Sequence, residues 1–339
     1  MSYRARPMSA ASQTAAPPAA DRTQQVLSEI TACWGRLPNK GLFLVLTAGW
    51  LVLLSVLGNS TFGYILTKSW LLSRSLLFWM YNAYTAPQTE DGHGLLIPLV
   101  VGYLFYVRRH YILSAPLKLW WPGLLLLAAA CGMHVLGYMI QQPRISIVAL
   151  LLGIYGIMGT CWGPALLRRS FFPFWVLGFL VPLGSLADPL SVPLRVLVCE
   201  VVRVICNLAG MDVMRVGTAL FSPDRYQYEI AAACSGMRSL IATFALATIY
   251  GFTFFRKPWK QWLLVASSVP LAVIGNVFRM MAIVLAAEWF GQKTGAQVHE
   301  STFWSLLPYV PAILGLIFLG RWIGEDDPTP PAPETPPQP

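Results

Sequence analysis

Apolar runs of 15 to 25 residues recur along this chain, separated by short segments that hold most of its basic residues. A bilayer core of about 30 Å takes roughly 20 apolar residues per helical crossing. In that solvent each backbone N–H and C=O must be paired within the protein, which restricts runs of this kind to helices. Charged side chains are 12% of the 339 residues, about half the roughly 25% of a soluble domain. The fold class is therefore an all-α polytopic integral membrane protein, and a soluble globular domain is excluded.

The runs predict about eight transmembrane helices, near 42–57, 93–108, 120–140, 145–167, 171–187, 237–255, 262–287 and 302–322. Arg36 and Lys40 precede the first. Arg108, Arg109 and Lys118 fall between the second and third, and Arg168 and Arg169 between the fourth and fifth. Arg256, Lys257 and Lys260 fall between the sixth and seventh, and Arg321 ends the eighth. With eight crossings all five clusters share one side, which marks it as the cytoplasm. The net charge of +9 is thereby topological, and no basic groove with interleaved aromatics suggests nucleic acid.

Two segments are read as interfacial helices or loops. Residues 60–85 carry Lys68 and Arg74 among Trp and Tyr. Residues 191–210 carry Arg195, Glu200, Arg203 and Asn207 among Val, Leu and Ile, with Glu200, Arg203 and Asn207 on one helical face. Gly210, Gly217, Pro223 and Asp224, then alternating Tyr226, Tyr228 and Ile230, predict a short outer-face loop or hairpin over 211–233. Three regions follow: a polar cytoplasmic segment, 1–40, with its Ala-, Ser- and Pro-rich first 25 residues disordered; a transmembrane domain, 41–323; and a Pro-rich acidic tail, 324–339, also disordered. The first apolar run starts near Leu42, so no cleavable signal peptide is expected. The six cysteines show no CxxC or metal-ligand spacing, and neither metal nor cofactor is expected.

The segment Ala231-Ala-Ala-Cys234-Ser235-Gly236-Met237-Arg238 is the most informative. Cys234 opens the sixth span on the outer side, where the partial positive charge of a helix N-terminus favours a thiolate. Arg238, one turn on, adds to that field, and Gly236 admits a substrate backbone. The same residues also suit a tightly packed small-residue helix start. In Asn276-Val-Phe-Arg279, Arg279 is 18 residues beyond Gln261, about 27 Å at the helical rise, which reaches the depth of Cys234. A charge there either snorkels to headgroups or faces a polar cavity, and Asn276 one turn back favours the cavity. His299 lies ahead of the last span. A lone loop histidine carries little weight, but Cys, Arg and His reach one membrane face from three consecutive spans. Together they permit acyl transfer: a thiolate attacks a carbonyl, a histidine moves protons and an arginine stabilises the oxyanion. Asp91-Gly-His93-Gly94, on the same side, either orients a substrate or is a glycine-rich turn.

These motifs resemble the exosortase/archaeosortase family over roughly residues 60–322. Cys234-Ser-Gly-Met-Arg238 is similar to its Cys-Ser-Gly-x-Arg segment, Asn276-Val-Phe-Arg279 to its later Asn-x-x-Arg, and His299 to the histidine before its last span. Gly92-His93-Gly94-Leu95 resembles a His-Gly element of bacterial members. Where many members carry a glycine shortly after the histidine, Glu300-Ser-Thr-Phe303-Trp304 follows here. The resemblance implies a protein-sorting transpeptidase or protease of the inner membrane with its site on the outer face. It would cleave a C-terminal tripartite signal (short motif, transmembrane helix, basic tail) on membrane-anchored partner proteins through a cysteine thioester. Cys234, Arg279 and His299 would be catalytic, with Ser235, Gly236, Arg238, Asn276 and His93 supporting. The rival readings are a hydrolytic cysteine protease, which shares the thioester, and a non-catalytic transporter or scaffold for exported polysaccharide. Against the transporter, no span carries the Gly/Pro-interrupted pair expected of inverted repeats.

Overall fold

The computed structural model describes residues 19–59, 74–86, 91–183, 188–221, 227–229, 237–300, 306 and 309–324. These are almost wholly helical. Helix α1 (Ala19–Arg36) begins inside the stretch expected to be disordered. Pro17 and Pro18 mark where the Pro-rich composition stops, and beyond them Ile30, Cys33, Trp34 and Leu37 recur at helical spacing along one cavity wall. Glu29 on α1 pairs with Arg109 at 2.6 Å and accepts from the Tyr106 hydroxyl at 2.8 Å. The chain then bends by 98° at Asn39 (φ 53°), so α1 crosses the end of the next helix, as an interfacial helix does.

Helix α2 (Lys40–Val56) is followed by α3 (Leu76–Thr85), capped by the Ser75 hydroxyl. Ten residues make about 15 Å, and α3 is too short to cross. A 3-10 turn, Gly92–Leu95, leads into α4 (Ile97–Val107) and α5 (Arg109–Leu113). Helices α6 (Gly123–Met139) and α7 (Pro143–Trp162) form a close antiparallel pair joined at Gln141 (φ 56°). Gly153 of α7 admits the Trp50 ring of α2: a Cβ there would stand 2.4 Å from it, and the Trp50 indole N–H donates to the Leu150 carbonyl. Gly163 and Pro164 end α7 and start α8 (Pro164–Trp175), which tightens into a 3-10 turn over Val176–Leu180. Helix α9 (Asp188–Leu208) precedes three short antiparallel strands, β1 (Met214–Val216), β2 (Ala219–Phe221) and β3 (Gln227–Glu229), with Met214 opposite Phe221 and Leu220 opposite Tyr228. The hairpin expected over 211–233 is thus a three-stranded sheet. Helices α10 (Met237–Phe254), α11 (Pro258–Phe290), α12 (Gln292–Glu300) and α13 (Tyr309–Ile323) complete the chain.

Among the described residues, α7 and α11 are long and apolar enough to cross a membrane by themselves, and the bent pair α1–α2 passes the same test together. Helices α4, α6, α13 and most of α10 are shorter apolar helices. The expected spans 93–108, 145–167 and 171–187 therefore differ from the helices observed. Gly92 and Gly94 turn the first into a 3-10 start, Gly163-Pro164 cuts the second, and the third is helical from Pro164 onward and tightens at Val176.

Hydrogen bonds show which loops share an end. Pro38 accepts from the Trp162 indole, Lys118 N donates to the Trp162 carbonyl, and Arg169 donates to Tyr111 and Ser114. Arg108 donates to the Phe252 carbonyl (2.6 Å) and Lys260 to that of Gly324 (2.7 Å). All five basic clusters lie at this end. At the other end Asn59 reaches Gly137 and Ser146, Arg144 reaches Pro182, and Tyr84 reaches Leu180.

The largest core cluster is built by residues from α2 to the 3-10 turn after α8, and smaller clusters surround α11. The two parts meet along a seam of aromatic rings, Phe172 on Phe252 and Phe179 on Phe244.

Candidate functional site

Helix α11 is the ruler for the site. At 33 residues it is about 50 Å long, well beyond the roughly 30 Å of a bilayer core. Two contacts fix its register with α10. Gly251 lies against Gln261 near the basic end, and Leu240 packs with Ala272 in a buried cluster. The pairs are eleven residues apart on each helix, in opposite directions, so the register is continuous. Continued three residues, it brings Met237, the first residue of α10, level with Gly275.

Asn276 and Arg279 follow at that level. Both are buried, at 3% and 8% exposure. Their spacing places them on the same face of α11.

Gly291 (φ 93°) ends α11 and reverses the chain into α12. Gly295 makes this reversal tight: a Cβ on it would lie 2.6 Å from the Ala287 Cβ. Val298 packs in one cluster with Met280, Ile283, Val284 and Ala287. The backbone of His299, one residue on, therefore lies near the level of Ile283, about one helical turn from Arg279. The expectation of His299 in a loop ahead of the last span is corrected here: it lies in a helix, α12, folded back along α11. The side chains of His299 and Arg238 are outside what the structure describes, as are Cys234, Ser235 and Gly236 altogether.

A cavity of about 480 Å³ lies on the seam beside the first turns of α10. Leu240, Ile241 and Phe244 line it from α10, Trp175 and Phe179 from the other side, and His93 reaches it from the 3-10 turn. His93 is thus brought to the start of α10, which spacing along the chain gave no means of finding. Asp91 belongs to the same Asp91-Gly-His93-Gly94 motif. It is 4% exposed, and its Oδ1 accepts from Leu183 N at 3.1 Å, which pins the His93 turn to the segment after α8. The Asp91 side chain makes no cap bond to the 3-10 turn.

Helix α9 packs on α11 just beyond Arg279. Val198, Cys199, Val202 and Cys206 are buried with Met280 and Ile283, while Glu200 holds Arg203 (2.5 Å) and Arg215 of β1 (3.0 Å). These bonds, Arg203 first, hold the Glu200 carboxyl down to about 2. Among the described residues no group of His, Cys, Asp and Glu is arranged to hold a metal ion.

The arrangement is a buried amide and guanidinium on α11, the start of α10 level with Gly275 before them, and a reversed helix bringing a histidine's backbone to the level of Ile283 beyond them, all within about 12 Å along α11. An apolar cavity opens beside Leu240, Ile241 and Val269, nearer the basic end of α11. Residues 85–318 match the family model described as transmembrane exosortase. No curated protein sequence and no solved structure matches the chain.

Proposed function

The chain belongs to the transmembrane exosortase family, and on that premise we propose that it is a cysteine transpeptidase that cleaves a C-terminal sorting signal on membrane-anchored proteins. The single observation that carries this reading is the convergence on one stretch of α11, about 12 Å long. The start of α10, three residues after Cys234, the buried pair Asn276 and Arg279, and the backbone of His299 all meet there. Three peptide units hold the Cys234 Cα within about 11 Å of Met237.

The Cys234 thiolate, favoured by the N-terminus of α10 and by Arg238, attacks the carbonyl carbon of the scissile peptide. The oxyanion is stabilised by Arg279, with Asn276 on the same face of α11. His299 gives its proton to the leaving amine, the C–N bond breaks, and a thioester remains on Cys234. An acceptor amine or hydroxyl then attacks the thioester, its proton passes to His299, and the thiolate is restored. Ser235 and Gly236 border the substrate backbone, and His93 lines its approach. The substrate's transmembrane helix enters from lipid at the apolar seam cavity, which brings its outer end to the height of Arg279. Eight crossings, with both termini in the cytoplasm and the site on the outer face of the inner membrane, complete the reading. What supports them is the alternation of the chain between an end that gathers all five basic clusters and an opposite end that does not.

Intact-mass measurement of a membrane-anchored protein with such a signal, co-expressed with this chain, tests the reading. The expected product is shortened at the signal, and Cys234→Ala leaves the substrate at full length. A shortened product with Cys234→Ala would exclude the thioester route, and an unaltered substrate with the wild type across a panel of such signals would favour a transporter or scaffold.

A further inference from the structure

Away from the seam, at the end that gathers the basic clusters, α1 crosses the bundle and encloses an apolar pocket of about 300 Å³. Cys33 and Trp34 of α1 form one side, Gly102 and Phe105 of α4 a second, and Met158 and Trp162 of α7 a third. The one hydroxyl and the one charge among the lining residues are used within the fold. The Tyr106 hydroxyl donates to Glu29 at 2.8 Å. Arg109 donates through one Nη to Glu29 at 2.6 Å and through the other to the Tyr106 carbonyl at 2.8 Å, and its Nε is buried out of reach. The Trp162 indole N–H is spent on the Pro38 carbonyl at 2.8 Å. Nearly all of the wall that remains is apolar, so the ligand it suits is hydrocarbon.

The pocket has a mouth on α4. Gly102 is exposed, and a Cβ on it would meet nothing within 4 Å. Leu99 and Tyr103 beside it are 71% and 64% exposed, an apolar surface that faces acyl chains in a membrane-spanning chain. An empty apolar pocket forfeits dispersion contacts along its walls, and water finds no partners in it. The chains of the surrounding bilayer are the hydrocarbon at hand.

Trp162 also draws positive charge to the rim. Its indole binds Pro38, two residues after Arg36, and its carbonyl accepts from the N–H of Lys118 at 3.4 Å. Arg36 and Lys118 are both exposed. On the topology proposed above this rim lies at the inner leaflet, where basic side chains attract anionic lipid.

We propose that this pocket binds one anionic phospholipid. One acyl chain enters beneath α1 through the opening at Gly102, and the phosphate lies toward Arg36 and Lys118.

Photocrosslinking of the full-length protein in nanodiscs tests this. The discs are phosphatidylcholine with a small fraction of phosphatidylglycerol, or in parallel of phosphatidylcholine, carrying a diazirine on one acyl chain, and crosslinked peptides are mapped by mass spectrometry. Both faces of a disc hold the same lipid, so the result does not depend on which end is cytoplasmic. Crosslinks over Ile30–Leu37 and Gly102–Leu113 are expected to saturate, and to be about tenfold or more stronger from phosphatidylglycerol, the scale of two basic residues at a membrane surface. Crosslinks at Phe318 and Trp322 of α13, 73% and 76% exposed, should show neither property. Gly102→Trp fills the mouth and should lower labelling of the pocket peptides at least tenfold while leaving α13 unchanged. Cys33→Trp fills the pocket from α1 and should do the same, so a failure of either variant to fold leaves the other. Arg36→Gln together with Lys118→Gln should keep the crosslinks and remove the preference for phosphatidylglycerol. Labelling no stronger than that of α13, undiminished labelling of a folded filling variant, equal labelling by the two lipids, or displacement by oleate as complete as by phosphatidylglycerol would each overturn the proposal.

Discussion

Leu240 on α10 and Ala272 on α11 pack together in one buried cluster, and this contact sets the height at which α10 begins. Asn276 and Arg279 lie one and two turns beyond Ala272 along α11, so the segment that ends in Met237 starts beside them. A slip of one turn between α10 and α11 would move that start about 5 Å along the guanidinium's helix.

Arg279 is 8% exposed, and a buried guanidinium directs a planar fork of donors that an ammonium cannot reproduce. Arg279→Lys is expected to lower processing of a sorting-signal substrate by about a hundredfold or more, while the protein still accumulates in the membrane. Near-normal processing would show that charge alone suffices.

Gly295 lies against Ala287, and a branched side chain would push α12 away from α11. Gly295→Val is expected to cost about 1–3 kcal/mol of stability and to abolish processing, because the His299 backbone is displaced from the level of Arg279. Site-mapped alkylation of Cys234 should be unchanged. Full processing by this variant would remove α12 from the site.

Glu200 couples α9 to the sheet through Arg215. Its carboxyl is depressed from 4.5 to about 2, first by Arg203 and then by Arg215. A depressed acid contributes above its unfolded value and loses that contribution as pH falls toward the folded one. Docking of the sheet should therefore persist at neutral pH and weaken between about pH 4.5 and 2. Hydrogen exchange over Met214–Phe221 should show this acid step in the wild type, and Glu200→Gln should exchange faster already at neutral pH with no such step. Identical profiles would mean that the bonds are too exposed to matter.

Both termini are expected in the cytoplasm. A reporter active only outside the membrane should be silent when fused after Ile323, and a cytoplasmic reporter at the same point should be active. The reverse result would remove the eight-crossing arrangement and place Arg279 on the inner face.

The amino-acid sequence by itself determined that the chain lives in a bilayer, because runs of this length can satisfy their backbone only as helices. It also determined which end carries the basic clusters, and that Asn276 and Arg279 share a face, because charge distribution and helical spacing are local properties. Three things were decided only by the tertiary structure. Helix α12 reverses on Gly291 and lies flush on α11, because Gly295 has no Cβ to hold it off; nothing in the residues around His299 states which helix they will meet. The seam cavity joins His93 to the start of α10, about 150 residues away in the chain, through packing that no periodicity encodes. The start of α4 and the break between α7 and α8 fall at Gly92–Gly94 and Gly163–Pro164, which interrupt a helix without lowering hydropathy much, so hydropathy overran them. Local patterns set each helix and its face, whereas the depth at which helices meet depends on long-range side-chain contact.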